Sequence, residues 1–191
     1  MLRVLLVDDT GKDMRILHDA LVAAGHVVVG EVGTALELID QAEKTAPDLI
    51  IVDTESPSRD VLEQIAFVSQ STPRPIVMFT EDGDQDSITR AFSAGVTTYI
   101  VEGLQPERVR SILDVARARF AAEQALRDEL ERTKGELAAR KTIERAKGIL
   151  MDSRKIGEQE AFRLMRKLAM DKQSTMLAIA DQIVAARELL G

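Results

Sequence analysis

The sequence predicts a doubly wound α/β domain with a five-stranded parallel sheet, followed by a long helical segment and a small three-helix all-α domain. Three observations lead to this prediction. Short apolar runs alternate with amphipathic stretches over residues 1–118, a long stretch without proline follows Pro106, and apolar residues recur at helical spacing over residues 141–191. The 191 residues are 45% hydrophobic and 30% charged, and this composition favours a folded chain with a buried core.

The first part of the chain alternates strands and helices. The predicted strands are short aliphatic runs, at residues 2–7, 26–32, 48–52, 75–79 and 98–101. The intervening stretches carry apolar residues at helical spacing, at residues 12–24, 34–46, 58–70 and 85–94. Strands that alternate with helices of this length form parallel sheets covered on both faces. Functional side chains collect in such sheets where the carboxyl ends of the strands meet the loops.

A helical linker is predicted over residues 106–140, continuing the last helix of the α/β domain at 1–118 and leading to a helical domain at 141–191. Pro106 suits a first helical turn. Apolar side chains follow at spacings of three and four residues: Ile112, Ala116, Leu126, Leu130 and Leu137. This pattern favours a coiled coil and a homodimer through the linker, and a solvated single helix is the alternative.

Charge divides the chain into an acidic and a basic part. Residues 1–118 hold 10 Lys and Arg against 20 Asp and Glu, whereas residues 140–172 hold 10 against 5. The acidic part would repel a polyanion and the basic part would attract one. With no Cys, the chain has no disulfide and no cysteine nucleophile. It also has no apolar run near the length of a membrane span and no visible signal peptide, so we expect a soluble, cytoplasmic protein without a membrane partner.

Acidic side chains are predicted to converge at the carboxyl edge of the sheet. Asp8 and Asp9 end the first strand, and Asp53 ends the third. Three carboxylates make an oxygen site suited to Mg²⁺, which would be an optional ligand because nothing in the sequence makes a cofactor obligatory. One carboxylate would then attack a phosphoryl donor, and Thr80 would donate a hydrogen bond to the phosphoryl group. Tyr99 would lie nearby as a switch residue that reports the conformation. The alternative is that these acids only end strands and cap helices.

Residues 1–118 resemble the receiver domain of two-component response regulators, which has a flavodoxin-like fold. The motifs that carry this resemblance are Val7-Asp8-Asp9, the run from Asp48 to Asp53 with Pro57 after it, Phe79-Thr80, and Ala94-Gly95 before Tyr99. The resemblance implies that Asp8 and Asp9 are the acidic metal pair and that Asp53 is the phosphoacceptor. It also implies that Thr80 is the switch hydroxyl.

One position departs from the receiver pattern. Receivers carry a lysine at the end of the fifth strand, where this chain has Glu102. The lysine pairs with the phosphoryl group, and a unit charge at 4 Å is worth about 4 kcal/mol at an effective dielectric constant of 20. We therefore expect a degenerate receiver in which phosphorylation is not the normal switch. The alternative is that Glu102 is tolerated and that a histidine kinase acts on Asp53.

Basic residues of the C-terminal part are candidates for contacts with RNA phosphates. On a helix over residues 158–170, three of them lie opposite an apolar stripe that includes Ala161 and Met165. The full set of candidates is Arg140, Lys141, Arg145, Lys147, Arg163, Arg166, Lys167 and Lys172. On charge alone, a solvated face of a small helical domain is the alternative.

Residues 130–191 resemble the ANTAR domain, an RNA-binding antitermination module. The motifs run from Glu144 to Met151, from Glu160 to Ala169 and from Ala178 to Ala180. With a receiver that lacks the lysine, the chain resembles the nitrate- and nitrite-responsive antiterminators of the AmiR/NasT family. The resemblance implies paired hairpins of leader mRNA as the RNA partner, and a nitrate-sensing NasS-like protein as the regulatory partner.

Two further classes of function are alternatives. A DNA-binding response regulator would need a recognition helix, which residues 158–188 could imitate. An enzyme is disfavoured because phosphoaspartate hydrolases need an Asp-x-Asp motif on one strand, whereas Asp8 and Asp9 are adjacent. His18 and His26, the two histidines, lie away from the aspartates in the predicted strand map.

Overall fold

The computed structural model describes residues 1–8, 10, 14–34, 37–101 and 105–190. It divides into two compact units, residues 1–124 and residues 125–191. Asp9 and Glu102, which the sequence places at the acidic edge, lie outside the described residues.

The first unit is a five-stranded, fully parallel sheet in the order β2-β1-β3-β4-β5. Its strands are β1 (Arg3–Asp8), β2 (Val27–Val32), β3 (Leu49–Asp53), β4 (Ile76–Thr80) and β5 (Thr98–Val101). Its helices are α1 (Arg15–Ala23), α2 (Leu38–Thr45), α3 (Arg59–Ser71) and α4 (Gln85–Ala94), followed by the start of α5 (Val109–Arg154). The predicted fold class is therefore confirmed, and each strand lies within one residue of its predicted bounds.

Alternate strand residues point to opposite faces of the sheet, and helices bury both faces. On one face, Leu5 and Ile50 belong to a core that includes Leu38 of α2 and Ile65 of α3. On the other face, Leu6 and its neighbours belong to a core that includes Leu17 and Leu21 of α1 and Leu113 of α5. The central strands thus read as continuous apolar runs with their polar residues at the carboxyl ends.

Helix α5 is continuous over 46 residues, so the predicted linker and the first helix of the C-terminal domain are one helix. Of the predicted coiled-coil positions, Ile112 and Ala116 are wrong as dimer contacts, because both are buried in the core of the first unit. The first turns of α5 pack, together with α1, against one face of the sheet, and these two side chains lie in that contact. Leu126, Leu130 and Leu137 are 72%, 53% and 54% exposed.

The second unit packs the C-terminal part of α5 with α6 (Glu158–Asp171) and α7 (Met176–Leu190). Small side chains, among them Ala146, Ala161 and Ala180, form the core together with Leu150 and Met165. Small residues allow the helix backbones to approach closely. No helix in the described part of the chain combines the length and the apolarity that a membrane span requires.

Candidate functional site

Asp8 and Asp53 lie side by side at the carboxyl edge of the sheet. They are the last residues of β1 and β3, and the parallel register pairs them with each other. Asp8 Oδ1 accepts hydrogen bonds from the backbone N–H of Thr10 at 2.8 Å and from Thr10 Oγ1 at 2.6 Å. The turn after β1 therefore orients the Asp8 carboxylate, and the sheet supplies two adjacent carboxylates as predicted.

The oxygen donors of this edge fit a hard cation such as Mg²⁺, which is held through one or two carboxylates while water and phosphate oxygens complete its shell. The third predicted ligand, Asp9, is outside the described residues. Within the described ranges, no group of three acidic, His or Cys side chains is arranged to hold a metal ion. Asp8 and Asp53 are the residues that would hold Mg²⁺ in this part of the chain.

Thr80 ends β4 and is buried. Its Oγ1 donates a hydrogen bond to the carbonyl oxygen of Glu55 at 2.8 Å and accepts one from the backbone N–H of Asp82 at 3.1 Å. The hydroxyl proton therefore bonds to the loop after β3. In this conformation Thr80 ties two loops together, whereas a switch hydroxyl would donate its proton to a phosphoryl group.

Tyr99 of β5 packs partly buried against the core, and its hydroxyl donates to the carbonyl oxygen of Asp82 at 2.8 Å. Burial raises the pKa of the Tyr99 phenol, and the nearby Asp82 carboxylate adds to the rise. Ser56 Oγ donates to Asp82 Oδ2 at 2.7 Å, and this bond is the main reason why the pKa of Asp82 is lowered. We call these four residues, Ser56, Thr80, Asp82 and Tyr99, the loop bridge.

Sequence reasoning missed Ser56 and Asp82. The available signal was the strand order, because β3 and β4 are neighbours and the loops after them must meet at one edge. Polar residues two or three positions beyond each of these strands were therefore candidates for a cross-loop contact. Their pairing itself depends on loop conformation, which the sequence pattern does not report.

The outward face of α6 is basic, as predicted. Arg163, Arg166 and Lys167 are exposed, while Ala161 and Met165 of the same helix are buried in the core. Helical periodicity explains this division, since residues three and four apart share a face.

Several predicted RNA-contact residues are held by other side chains. Lys147 is only 8% exposed, and its Nζ lies 2.6 Å from Glu144 Oε2 and 2.8 Å from Glu158 Oε1, so that it joins α5 to α6. The hydrogen bond that Lys147 donates to Glu144 is the first cause of its raised pKa. Arg145 pairs with Glu188 of α7 at 2.9 Å.

The remaining candidates fall into two groups. Arg163 bonds both carboxylate oxygens of Glu160 at 2.7 Å, and Lys172 Nζ donates to Gln182 Oε1 at 3.2 Å. The other four have no ion pair or side-chain hydrogen bond to any residue that the structure describes; they are Arg140, Lys141, Arg166 and Lys167. Their charges are the ones available to a polyanion.

The parallel sheet of the first unit and the acidic edge at Asp8 and Asp53 define a receiver domain, and a small helical domain follows it in the chain. Residues 4–114 match the response regulator receiver domain family, and residues 131–184 match the ANTAR domain family. The chain therefore belongs to the response regulators, in the group that joins a receiver domain to an ANTAR domain. It is 31% identical to the transcriptional regulatory protein PdtaR of Mycobacterium tuberculosis over 182 residues, which cover 95% of this chain and 89% of PdtaR.

Other similarities cover the receiver part alone. The signal receiver domain of a modulated diguanylate cyclase from Desulfovibrio desulfuricans G20 has the same fold, with a TM-score of 0.57 and 22% identity over 64% of this chain and 98% of that chain. Protein-glutamate methylesterase/protein-glutamine glutaminase 1 of Pseudomonas aeruginosa is 32% identical, but the match covers 58% of this chain and only 32% of that enzyme. The likeness to an enzyme therefore spans a minor part of the enzyme.

Proposed function

We propose that this protein is an RNA-binding transcription antiterminator that binds paired hairpins in leader mRNA. The observation that carries the proposal is the outward face of α6, where Arg166 and Lys167 bear charges that no carboxylate neutralises in the described part of the chain. Phosphate contacts by such residues supply much of the affinity for RNA. This face lies within the residues that match the ANTAR domain, and the PdtaR relative carries the name of a transcriptional regulator.

We propose that the domains have the boundaries that the sequence predicts. Residues 1–118 form the receiver-like domain, residues 106–140 form the linker, and residues 141–191 form the RNA-binding domain. We propose that two copies associate through the linker. The exposure of Leu130 and Leu137 in a single chain supports this part of the proposal, because a partner helix would cover them.

Regulation is proposed to come from a sensor protein and not from phosphorylation. The reversed charge at Glu102 supports this, because it would repel a phosphoryl group where receivers carry a lysine. The loop bridge supports it as well, since Thr80 and Tyr99 already donate their hydroxyl protons to backbone carbonyls. From the resemblance to the AmiR/NasT family, the sensor would be a nitrate-binding NasS-like protein and the target transcripts those of nitrate or nitrite assimilation.

The second candidate is an ANTAR regulator switched by a histidine kinase. The observation that favours it is the adjacent pair of carboxylates, Asp8 and Asp53, at the edge of the sheet. The pair would provide a phosphoacceptor, Asp53, and a metal ligand, Asp8. Mg²⁺ bound there would offset the negative charge of Glu102.

A binding experiment distinguishes control by a sensor protein from control by a histidine kinase. Purified protein is mixed with a pool of two-hairpin RNAs that have randomised terminal loops, and the affinity of the selected RNA is measured with and without acetyl phosphate and Mg²⁺. We expect tight binding without the phosphodonor and no change when it is added.

Binding that requires the phosphodonor would replace the sensor-controlled mechanism with the kinase-controlled one. Equal affinity for a DNA duplex of the same sequence would overturn the assignment to RNA. Affinity that does not fall with salt would contradict the role of the basic face, because phosphate contacts make binding steeply salt-dependent.

A further inference from the structure

Phe162 is an aromatic ring on the surface of the second unit. It is 47% exposed, although its neighbour Ala161 is fully buried. It is also the sole aromatic residue in the sequence from 125 to 191. The described core of this unit includes Met165 and Ala169 of the same helix and does not include the Phe162 ring. Burial in its own unit therefore does not account for this side chain.

One basic side chain, Arg166, is the helical neighbour of the ring. Residues four apart on a helix lie about 5–6 Å apart at Cβ, so Arg166 is the neighbour of Phe162 one turn along α6. Arg166 is exposed and makes no ion pair with a described residue, and the described residues show no cation–π contact between it and Phe162. The Arg166 guanidinium is thus not committed to a partner in the described part of the chain.

The acidic residues at the start of α6 do not cancel this charge. Glu158 is held by Lys147 at 2.8 Å, and Glu160 is held by Arg163 at 2.7 Å. Glu160 is thus paired with Arg163, and Glu158 shares Lys147 with Glu144, so Arg166 is the cation one turn from the ring that no described carboxylate pairs with. A protein partner with an ordinary apolar patch would have to desolvate these charges, whereas RNA would pair with them.

We propose that Phe162 and Arg166 form a stacking site for one unpaired base of an RNA hairpin loop. Bases splayed out of loops stack on aromatic rings and on guanidinium planes, and stacking on a ring tolerates any base because each has a π-face. The site deepens the proposed RNA-binding function and rests on it. It would let one aromatic residue distinguish a loop from a stem, because paired bases are not free to stack on a side chain.

Three substitutions test the site: Phe162→Ala removes the ring, Phe162→Leu keeps apolar bulk without a ring, and Phe162→Trp keeps a ring. The probe is the two-hairpin RNA selected from the randomised-loop pool, together with the same RNA carrying abasic loop positions. We expect Phe162→Ala and Phe162→Leu to weaken binding of the intact RNA about 5- to 150-fold and Phe162→Trp to retain it. On the abasic RNA these variants should bind like the parent.

The salt dependence gives a second readout. Loss of the ring should leave the slope of log affinity against log salt unchanged, whereas loss of a phosphate contact lowers it. The matched control is Phe67→Ala, since Phe67 is a similarly exposed phenylalanine (52%) on α3 of the receiver unit and should not affect RNA binding.

The outcomes separate the two proposals. If the parent protein does not prefer the hairpin RNA to a DNA duplex, the proposed function fails. If the parent binds and Phe162→Leu binds equally well, only the stacking site is overturned. A change in sedimentation of Phe162→Leu without a change in RNA affinity would assign the ring to a contact between copies and would also overturn it. Should Phe162→Ala not fold, the Leu and Trp variants decide.

Discussion

Arg166 and Lys167 differ from Arg145, Lys147 and Arg163 because no carboxylate in the described ranges holds them. This difference divides the basic residues into two groups: those that form ion pairs within the unit and those that do not. Lys147 and Arg145 join helices, as their contacts with Glu158 and Glu188 indicate. Unpaired cations are the ones that can exchange counterions for phosphates.

Arg166→Ala should therefore weaken RNA binding and lower its salt slope. Each phosphate contact contributes about 0.7 to 0.9 to the slope of log affinity against log salt, so we expect a decrease of that size. Fluorescence anisotropy at several salt concentrations measures both quantities. The matched control is Arg59→Ala, which removes the same charge from an exposed position on α3 of the receiver unit. If the two variants lost affinity equally, the assignment of the basic face would be wrong.

His26 is a half-buried residue between α1 and β2 whose ring nitrogens have no hydrogen-bond partner among the described residues. Burial is the first cause of its lowered pKa, and the positive N-terminus is the second. Arg110 and Arg117 of α5 lower the pKa further, while Asp114 raises it. The folded protein therefore keeps this imidazole neutral at a pH at which an unfolded chain would protonate it.

Stability should consequently fall as the pH falls through about 6.5, because the unfolded state then binds a proton that folded His26 does not bind. We expect His26→Gln to lose less unfolding free energy than the parent between pH 7.5 and pH 5.5. Urea unfolding at the two pH values measures this. His18→Gln serves as the control, since His18 is exposed at 41% and has an acidic neighbour in Asp19. An identical pH dependence of His26→Gln and the parent would contradict the prediction.

At the scale of elements, two glycines illustrate how the same residue type can be required or dispensable. Gly95 caps α4 with φ +104°, and a Cβ there would lie 2.1 Å from Ser69 Oγ and 2.5 Å from Ser69 Cβ of α3. Gly135 lies inside α5 and a Cβ there would meet nothing within 4 Å.

Gly95→Ala should destabilise the receiver unit by about 2–4 kcal/mol, because left-handed backbone strain adds to the clash. Gly135→Ala should instead stabilise the helix by about 0.5–1 kcal/mol. Urea denaturation followed by circular dichroism measures both. A destabilising effect of Gly135→Ala would show that α5 needs a bend at this point.

The exposed leucines of α5 test the proposed association of two copies. Leu137→Arg should shift the protein toward monomers, because a buried charge in a coiled-coil seam has no partner. Ala138→Arg adds the same charge one residue further on, about 100° around the helix, and should leave association unchanged. Sedimentation velocity at several concentrations reports the distribution. Equal behaviour of the two variants would place the dimer contact elsewhere.

At the scale of the whole molecule, the receiver is proposed to act without phosphoryl transfer. Asp53→Asn removes the carboxylate of the proposed phosphoacceptor while preserving the size of the side chain. We expect this variant to bind the hairpin RNA like the parent, with or without acetyl phosphate. A variant that no longer binds RNA, in a preparation whose parent requires the phosphodonor, would support control by a kinase.

Much of the architecture follows from local patterns. The apolar runs predicted each strand within one residue, because a strand buried on both faces needs only a short aliphatic segment bounded by turns. The placement of Asp8 beside Asp53 also followed, since parallel strands bring their carboxyl ends to one edge. The seam positions Ile112 and Ala116 were assigned wrongly because periodicity shows that a face is apolar without showing what covers it.

The strands, most of the helices and the basic face could be predicted from the sequence because each depends on residues close together in the chain, and the acidic edge followed from the parallel arrangement of the strands. Which polar groups already bond to one another depends on the tertiary structure. Ser56 bonds Asp82 across 26 residues, and Lys147 bonds Glu158 across 11. Such contacts depend on loop conformation and on the packing of helices. The cations that remain without an ion pair, above all Arg166 beside the Phe162 ring, can be identified only after these pairings are known.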